Sequence, residues 1–521
     1  MDKINTPSGS ANIQGDYAGG LIYCDCTGEF VLPDYLPEIR KIIRIDAKAI
    51  PSGKFIGSQK AEFAGIVAYT VIYTGAEGEL SSTSLSSDYE FSCNLPASSE
   101  GDFAIVADTS VDNTVCRLFG PRKLSLRSTL KSRTHVYARN KISELEDVEN
   151  LQKLEKKLYS SVTKCASSGD FSLFDSVAIE KVLPDAIKTN YIEAELLIRE
   201  ARAGVSEVTC RGEVLLKCNY TPDGAECVTI CRKIPFEQSF FVEGASNDDS
   251  VIAYGRCNSA TVSIAENGED GVLFNFDVIA EIDAECVRNE EVTVISDMYS
   301  TECNAYPTYK DVVFTESLGA SYGNYTVDAT RARNEDELGV SSVIDAKGVA
   351  EVKEIVEKDG RVFVLGECKV EMLTAMYGEE KNEYGSSTIA IPFKIETDLR
   401  TQKADNVNYD LHIETVSVKG RLDDTTISAD AELFVAIRAE RSYSERLLDS
   451  LKLEYEEKTE RCQNEIRVVY PEGNDSLFSI AKKYGIEYER LAKMNGLPDS
   501  SIESPAETHS IDGVTHLIIS Y

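Results

Sequence analysis

Apolar and polar residues alternate with a period of two along most of the chain. Three of the clearest runs are "EFAGIVAYTVIYTGAEG" around Gly65, "TCRGEVLLKCNYTPDG" around Gly212 and "FVLGECKVEMLTAMYGEE" around Gly366. Successive side chains of a β-strand point to opposite faces, so this period predicts strands that bury one face. Turn sequences such as Asn267-Gly268 separate neighbouring runs and predict antiparallel hairpins.

The alternating runs recur as three related units. In the first two units a tyrosine (Tyr73, Tyr220) follows the glycine by eight residues, and a proline (Pro37, Pro184) precedes it by 28. The third unit has no matching proline, and its tyrosine, Tyr377, is displaced. Each unit also has a phenylalanine downstream; these residues are Phe91, Phe236 and Phe393. With a turn about every 8–12 residues, the pattern predicts three tandem antiparallel sandwiches or barrels.

Two stretches carry mixed charges at helical spacing. "ISELEDVENLQKLEKKLYSSV" begins at Ile142, between the first and second units, and "ERLLDSLKLEYEEKTER" begins at Glu445, after the third. Opposite charges three or four residues apart stabilise a helix, so both stretches are predicted to be helical linkers. Each is too short to favour a dimerising coiled coil.

A different period appears near the end of the chain, in "DSLFSIAKKYG". Asp475 stands at the N-cap position of a predicted helix, and Gly485 stands where that helix ends. A second helix with the same spacing follows, and short β segments flank the pair at residues 466–470 and in "THLIISY". The order β-α-α-β is therefore predicted for the C-terminal module. The apolar face of its first helix follows the spacing i, i+3, i+4, i+7, at Leu477, Ile480, Ala481 and Tyr484.

Composition and charge narrow the class of protein. A length of 521 residues suits roughly three to four domains, and an apolar content of 42% is ample for buried cores. The formal charge of −34 argues against nucleic acid or an anionic membrane as the main partner, because phosphates are repelled. The opening "MDKINTPSGSANIQGDYAGG" lacks the apolar core of a signal peptide, and no apolar run is long enough for a membrane span. We therefore expect a cytosolic protein without membrane insertion.

Candidate catalytic and metal-binding motifs are missing from the sequence. The 14 cysteines are scattered, and the nearest approach to a ligand pair is Cys24-Asp25-Cys26, so free thiols are expected. None of the four histidines has HExxH spacing, and the chain contains neither GxxxxGK[ST] nor G-x-S-x-G. The sequence therefore predicts a non-enzymatic protein without a cofactor or a metal.

The tandem units resemble the SPOCS domain family of spore-coat proteins. The likeness rests on "LPEIRKI", on the strand "G-x-V-x-Y-x-V-I-Y", on "IPF" and on "GPRKLSLRSTL". It extends from about Tyr23 to Glu440, and the third unit departs most from the pattern. What this family does at the molecular level is unknown, so the resemblance by itself implies a fold and a setting in the spore coat.

The C-terminal module resembles the LysM family. Asp475, Ser476 and Leu477 match the family's Asp-Thr-Leu motif, "IAKKYGI" matches its first helix and turn, and "LAKMNGL" matches its second helix. Asn474 stands where the family usually has glycine, the loop before the last strand is long and acidic, and Ser520 replaces the closing proline. We predict a flexible N-terminal tail (1–22), SPOCS-like units (23–138, 166–305 and 306–440), helical linkers (139–165 and 441–462) and a LysM domain (463–521).

SPOCS-like units followed by a LysM domain are similar to the SipL-like spore-coat morphogenetic proteins. The resemblance implies a non-enzymatic scaffold for spore coat assembly in the mother-cell cytoplasm, at the forespore surface. It implies that the LysM domain binds the polymerising, SpoIVA-like ATPase of the coat basement layer, and that other coat proteins bind the chain. The alternative is a LysM protein that binds peptidoglycan or N-acetylglucosamine chains of the cell wall or the spore cortex.

Each alternative has its own candidate residues. An exposed aromatic side chain among lysines suits a protein anchor. The predicted partner-binding residues are Phe478, Lys482, Lys483, Ile486, Tyr488 and Lys493. The glycan alternative uses a groove formed by Asn474, Asp475, Ser476 and Asn495. A helix cap is the competing interpretation for Asp475, and a helix end is the competing interpretation for Asn495.

Overall fold

Three sets of six strands make up most of the chain. The computed structural model describes residues 2–4, 10–57, 59–95, 103–143, 151–180, 187–222, 227–267, 271–376, 383–401, 407–454, 466–503, 505–506 and 511–520. Strand β1 spans Asp2–Ile4. The first set, β2–β7, spans Ser10–Val31, Lys41–Ile56, Lys60–Thr74, Leu80–Asn94, Phe103–Gly120 and Lys123–Ser143. The second set, β8–β13, spans Leu151–Glu180, Ile187–Gly204, Glu207–Pro222, Val228–Phe241, Ser250–Glu266 and Gly271–Ser300. The third set, β14–β19, spans Asn304–Ala332, Val340–Lys358, Arg361–Met376, Glu383–Arg400, Val407–Leu422 and Thr426–Glu454.

All three sets have the same topology. The second, third and fourth strands of a set form one antiparallel sheet, and its first, sixth and fifth strands form another, in that order. Buried apolar residues from both sheets share one core in each set, which makes each set a β-sandwich unit. Residues 2–454 are called the β body below. The prediction of a mostly β chain of antiparallel units is confirmed.

The glycines that open the repeated strands lie beneath aromatic rings. Gly212 of β10 pairs with Phe236 of β11, and Gly366 of β16 pairs with Phe393 of β17. A Cβ atom on Gly212 would come within 2.9 Å of the Phe236 ring, and one on Gly366 within 2.5 Å of the Phe393 ring. The same Cβ atoms would come closer still to the Leu197 carbonyl oxygen and to the Glu351 carbonyl oxygen, respectively, so glycine is required because both a neighbouring backbone and a ring approach it.

The first unit differs in which aromatic residue covers its glycine. Gly65 pairs with Tyr89, whereas Phe91 pairs with Phe63 two residues away. The predicted equivalence of Phe91 with the other two phenylalanines is therefore wrong by two residues, since Tyr89 holds the equivalent position. The conserved spacing of tyrosine and proline has a physical basis here, because the Tyr73 hydroxyl donates to the carbonyl oxygen of Pro37 at 3.1 Å. Pro184 and Tyr377 lie outside the described residues.

The predicted helical linkers are wrong wherever the structure describes them. Residues 139–143 and 151–165 lie in β7 and β8, and residues 441–454 lie in β19; the remaining linker residues are outside the described ranges. These segments form the long ends of the antiparallel strand pairs β8–β13 and β14–β19. The two ends pack against each other through Leu158, Val292, Val294, Val312, Phe314 and Leu447. The burial of side chains between the two strand pairs outweighs the helical preference of the isolated segments.

The predicted flexible tail is also wrong for the residues described. β1 pairs antiparallel with the far end of β19, where Lys3 lies opposite Lys452. β2 begins at Ser10 and pairs with β7. Backbone groups supply these hydrogen bonds whatever the side chains are, so a polar sequence did not prevent strand formation. Paired strands thus extend beyond the predicted unit boundaries at both ends of the β body.

Equivalent residues of the three units meet at a buried junction. Arg44, Tyr191 and Asp345 each precede the repeated glycine of their unit by 21 residues. Arg44 Nη1 lies 2.9 Å from Asp345 Oδ2, and the Tyr191 hydroxyl donates to the same oxygen at 2.9 Å. Lys217 Nζ contacts the other carboxylate oxygen at 3.1 Å. We call Arg44, Tyr191, Asp345 and Lys217 the junction cluster.

A second layer of equivalent residues surrounds the junction cluster. Asp46, Glu193 and Lys347 each lie 19 residues before the repeated glycine. Lys347 Nζ is 3.5 Å from Asp46 Oδ1 and 3.3 Å from Glu193 Oε1. Burial alone would raise the pKa of Asp345, but the charges of Lys217 and Arg44 outweigh it and hold this pKa below its ordinary value. The units are thus joined by complementary charges inside the protein.

Related hydrogen bonds connect successive units around this junction. Ser82 of the first unit donates to the carbonyl oxygen of Asn190 in the second. The equivalent residue Thr229 of the second unit donates to the carbonyl oxygen of Ile344 in the third, at 3.2 Å. Because Asn190 and Ile344 are themselves equivalent in the repeat, the step from unit one to two is repeated from two to three. The arrangement has approximate threefold character.

An ion pair in the third unit, between Arg331 and Glu337, predicts that the stability of the protein falls in acid. Glu337 lies in the short 3-10 helix Glu335–Glu337. Hydrogen bonds from Arg331, at 2.7 and 2.6 Å, lower the pKa of Glu337 from 4.5 to about 2 despite its partial desolvation. Because folding lowers this pKa, the stabilisation is fully present above pH about 4.5 and is lost as the pH falls towards 2. The difference in unfolding free energy between wild type and Glu337→Gln should therefore shrink over this range in denaturant titrations. A difference that stays constant from pH 6 to about 2 would contradict this assignment.

The C-terminal module contains the helices of the described chain that follow the β body. Its elements are β20 (Ile466–Val469), α1 (Leu477–Tyr484), α2 (Tyr488–Met494), α3 (Asp499–Glu503) and β21 (Leu517–Ser520). β20 and β21 pair antiparallel, which confirms the predicted order of strands and helices, with α3 added in the long loop. In the described part of the chain, no helix has the length and apolar character needed to cross a bilayer.

Candidate functional site on the C-terminal module

Helix α1 begins at Ser476 and not at Asp475. The Ser476 hydroxyl accepts from the Ser479 N–H at 3.2 Å, and Ser479 Oγ accepts from the Ser476 N–H at 2.9 Å, which completes a capping box. Asp475 instead accepts from the Glu472 N–H at 2.9 Å and closes the preceding turn. The predicted cap at Asp475 is therefore wrong by one residue. Gly485 ends the helix in the left-handed conformation with φ 63°, as predicted.

This cap predicts different costs for two neighbouring substitutions. Ser476→Ala removes the acceptor for an otherwise unpaired N–H group and should destabilise the module by about 1 kcal/mol. Asp475→Ala leaves the capping box intact and should cost less. Chemical denaturation followed by circular dichroism can compare the two variants. A larger loss for Asp475→Ala would show that the preceding turn matters more than the cap.

The predicted helical core is confirmed. Leu477, Ile480, Ala481, Leu491 and Ala492 are all buried. Tyr484 is half-buried against the same cluster. Strand β21 completes this core with two further buried residues, Leu517 and Ile519.

A tyrosine of the β body enters this module. Tyr299, near the end of β13, is only 3% exposed and belongs to the apolar cluster of the module. Its ring lies edge-on to the Phe478 ring, with 5.1 Å between centroids. Its hydroxyl donates to the carbonyl oxygen of Ile486 at 2.7 Å. Burial raises the pKa of Tyr299 well above its ordinary value, so the phenol stays protonated as this hydrogen bond requires.

An ion pair lies beside the tyrosine. Lys482 Nζ is 2.6 Å from both carboxylate oxygens of Asp297, two residues before Tyr299. The Tyr309 hydroxyl of β14 donates to Asp297 Oδ1 at 2.7 Å. Leu154 of β8 adds an apolar contact to the same cluster. The module therefore rests against the ends of three strands of the β body.

Comparison with known families agrees with the module's order of elements. The LysM family profile matches residues 474–504, which include α1, α2 and α3. The C-terminal module is a LysM domain. LysM domains point to binding of carbohydrate, peptidoglycan in particular. No curated protein sequence matches the chain.

The six residues predicted to bind a protein partner do not form one open surface. Phe478 and Ile486 are buried beneath Tyr299, so their predicted exposure is wrong. Lys482 is partly buried in the ion pair with Asp297, and Tyr488 is half-buried against the Phe478 ring. Lys483 and Lys493 remain exposed. The β body contacts Phe478, Lys482 and Ile486, and local spacing in the sequence could not predict this contact between distant segments.

The predicted glycan-groove residues are largely engaged within the LysM domain. Asn495 Nδ2 donates to the carbonyl oxygens of Leu491 and Ile518 at 2.9 and 2.8 Å, and its Oδ1 accepts from the Ile518 N–H at 2.6 Å. Its amide thus fastens α2 to the outer edge of β21. Ser476 is the helix cap described above, and Asp475 closes the turn. Asn474 is exposed.

The long acidic loop contacts the start of α1. The Phe478 N–H, at the first turn of the helix, donates to the carbonyl oxygen of Pro505 at 2.9 Å. This bond takes one of the N–H groups that the start of a helix offers to ligands. The Phe478 N–H is therefore already bonded within the LysM domain, next to the predicted groove.

The residues that sequence reasoning missed are Asp297 and Tyr299. Residues two apart in a strand point to the same side, so the sequence "DMY" is enough to place Asp297 and Tyr299 on one face of β13. Nothing in the sequence indicates that a distant LysM domain covers that face. Within the described ranges, no group of three His, Cys, Asp or Glu side chains is positioned to hold a metal ion, and the described cysteines are free thiols.

Proposed function

We propose that this chain is a non-enzymatic scaffold for spore coat assembly. It acts in the mother-cell cytoplasm and is recruited to the forespore surface by its LysM domain, which binds the polymerising, SpoIVA-like ATPase of the coat basement layer. The three β units resemble SPOCS domains and contact other coat proteins. The scaffold needs no cofactor or metal.

One observation carries the choice of a protein partner. The LysM domain already contacts protein through Phe478, Lys482 and Ile486, since these residues receive Tyr299 and Asp297 of the β body. In contrast, the polar side chains of the predicted glycan groove bond to the backbone of the LysM domain itself. A surface with an aromatic contact, a carbonyl acceptor and a lysine suits protein recognition.

The architecture of the β body supports a scaffold. The buried charges of the junction cluster fix the three units relative to one another, so surfaces on different units are presented at constant spacing. A polymerised partner displays many copies of one site, and several weak contacts then give a large avidity. A single small LysM domain is sufficient in such an assembly.

The family match favours a second candidate function, which is binding of peptidoglycan or another N-acetylglucosamine polymer. Its site would be the loop at Asn474 and the end of α2 at Asn495. In this case the β body would serve to hold the glycan-binding domain at a distance. The two functions differ in the surface of the LysM domain that they use.

A titration of the full chain can test both candidates. The ligands are the purified coat ATPase with ATP and, in parallel, N-acetylglucosamine oligomers of several lengths. Saturable ATPase binding that weakens on charge reversal of Lys482, without oligosaccharide binding, would support the scaffold. Oligosaccharide binding that is lost in Asn474→Ala, without ATPase binding, would overturn it in favour of the glycan function. Lys369→Glu, which reverses the charge of an exposed lysine in the third unit, is the matched control for surface charge.

A further inference from the structure

The contact between β13 and the LysM domain has the form of a ligand in a binding cleft. The cleft lies between α1 and the start of α2, and its walls are Phe478, Ile486 and Tyr488. Tyr299 fills the cleft and hydrogen-bonds to the Ile486 carbonyl oxygen at its base, 2.7 Å away. Carbonyl recognition of a buried phenol distinguishes tyrosine from phenylalanine, because only tyrosine can donate.

A second determinant lies two residues before the tyrosine. Lys482 Nζ of the LysM domain lies 2.6 Å from each carboxylate oxygen of Asp297. Met298, between the two, is buried in a different cluster formed by the ends of β13 and β19. Side chains i and i+2 of an extended segment share a face, so the LysM domain contacts only the alternate residues of the strand. The cleft thus contacts an acidic residue, skips one position and contacts a tyrosine.

We propose that this cleft is a recognition site for an extended segment of a partner protein that carries an acidic residue two positions before a tyrosine. The segment Asp297–Tyr299 occupies the cleft as an internal ligand. The inference rests on the proposed function, in which the LysM domain binds a protein, and it adds the chemistry of the segment that is bound. Release of the internal ligand frees the cleft for the partner.

Few side chains of the β body contact the LysM domain. In the described residues, the β body adds two members, Leu154 and Tyr299, to the apolar cluster of the LysM domain, whose other members belong to the domain itself. An internal ligand acts at an effective concentration of about millimolar, so an external segment must compete with it. Removal of the internal tyrosine should therefore raise the affinity for an external segment, by about tenfold or more.

The test measures binding of a labelled peptide to the full chain by fluorescence anisotropy. The peptide has the sequence of residues 293–301, "TVISDMYST". We expect tighter binding to the Tyr299→Ala chain than to wild type, by at least about tenfold. Binding should be lost when alanine replaces the peptide's tyrosine, when lysine replaces its aspartate, or in the chain variant Tyr299→Ala/Lys482→Glu.

A folded Tyr299→Ala chain that does not bind the peptide would overturn the proposal, as would equal binding of the peptide without tyrosine. Asp297→Asn keeps the ring and weakens only the ion pair, so it serves as a second release variant if Tyr299→Ala does not fold, with the same expected order of affinities. ATPase binding without peptide binding would refute the cleft while leaving the scaffold function intact. Peptide binding without ATPase binding would support the cleft and refute that partner.

Discussion

Replacing Asp345 with alanine should lower the free energy of unfolding by about 3–5 kcal/mol. Asp345 is buried and accepts contacts from Arg44, Tyr191 and Lys217 at 2.9, 2.9 and 3.1 Å. Removing this carboxylate leaves the buried Arg44 guanidinium with Asp46 as its nearest anion, at 3.0 Å, and takes the carboxylate partner from Lys217, so two cations lose compensation away from water. Urea denaturation at neutral pH, followed by intrinsic tyrosine fluorescence, measures the loss.

The matched control is Asp25→Ala, which breaks the exposed ion pair between Asp25 and Arg127 in the first unit. Exposed pairs are screened by water and salt, so the control should unfold at nearly the wild-type urea concentration. A second comparison, Arg44→Met/Asp345→Leu, removes the closest pair of opposite charges but leaves Lys217 and Asp46 without these partners, so it should recover only part of the stability lost in the single variant. Equal midpoints for Asp345→Ala and Asp25→Ala would show that the junction does not hold the units together.

Replacing Tyr299 with alanine should release the LysM domain from the β body. The substitution removes a fully enclosed aromatic ring, and such changes cost about 3–5 kcal/mol in well-packed sites. Hydrogen exchange measured by mass spectrometry should then be faster in residues 477–494, and the LysM domain should unfold in a step separate from the β body. The β units themselves should keep their exchange rates.

Tyr299→Phe is the conservative control. It keeps the ring against Phe478 and removes only the hydrogen bond to the Ile486 carbonyl oxygen, which is worth about 0.5–1.5 kcal/mol. The LysM domain should therefore stay docked in this variant. Unchanged exchange in Tyr299→Ala would mean that the ion pair of Asp297 with Lys482 holds the domain without help from the ring.

The alternating runs were sufficient to predict strands in the three β units, and helical spacing was sufficient to predict α1 and α2 of the C-terminal module. Residues such as Ile389, Ile391 and Ile395 in β17 are buried at alternate positions, and this alternation is local information. The same is true of Leu477 and Ile480, whose helical spacing needs no distant partner. Patterns of this kind follow from which face of one element is covered.

The linkers could not be predicted for a geometrical reason. Residues four apart lie on one face of a helix, but they also lie on one face of a strand, because four is a multiple of two. Leu447 and Leu451 therefore fit both structures, and both are buried at the end of the β14–β19 strand pair. Whether the segment forms a helix or a strand depends on a partner strand more than 100 residues away, and local spacing contains no information about that strand.

The candidate site was predicted only in part, for a related reason. Phe478, Lys482 and Ile486 were predicted to be exposed, but Phe478 and Ile486 are buried in the apolar cluster of the LysM domain, and Lys482 pairs with Asp297. Their partners in the β body are Asp297 and Tyr299, which look like ordinary residues of an alternating strand. Contacts between distant segments are set by the packing of whole units, and they leave no periodic signal in either segment.

The mixed charges of the junction also bear on how such a repeat persists in a genome. Tandem duplications are prone to recombination between copies, which deletes one copy and leaves an otherwise intact reading frame. Here, loss of the third unit would leave Arg44 without Asp345, and loss of the first would leave Asp345 without Arg44, at a junction that had lost one of its three sides. A chain shortened by one unit should therefore be less stable than the full chain. Because an arginine, a tyrosine and an aspartate occupy the three equivalent positions, no unit can stand in for another at the junction.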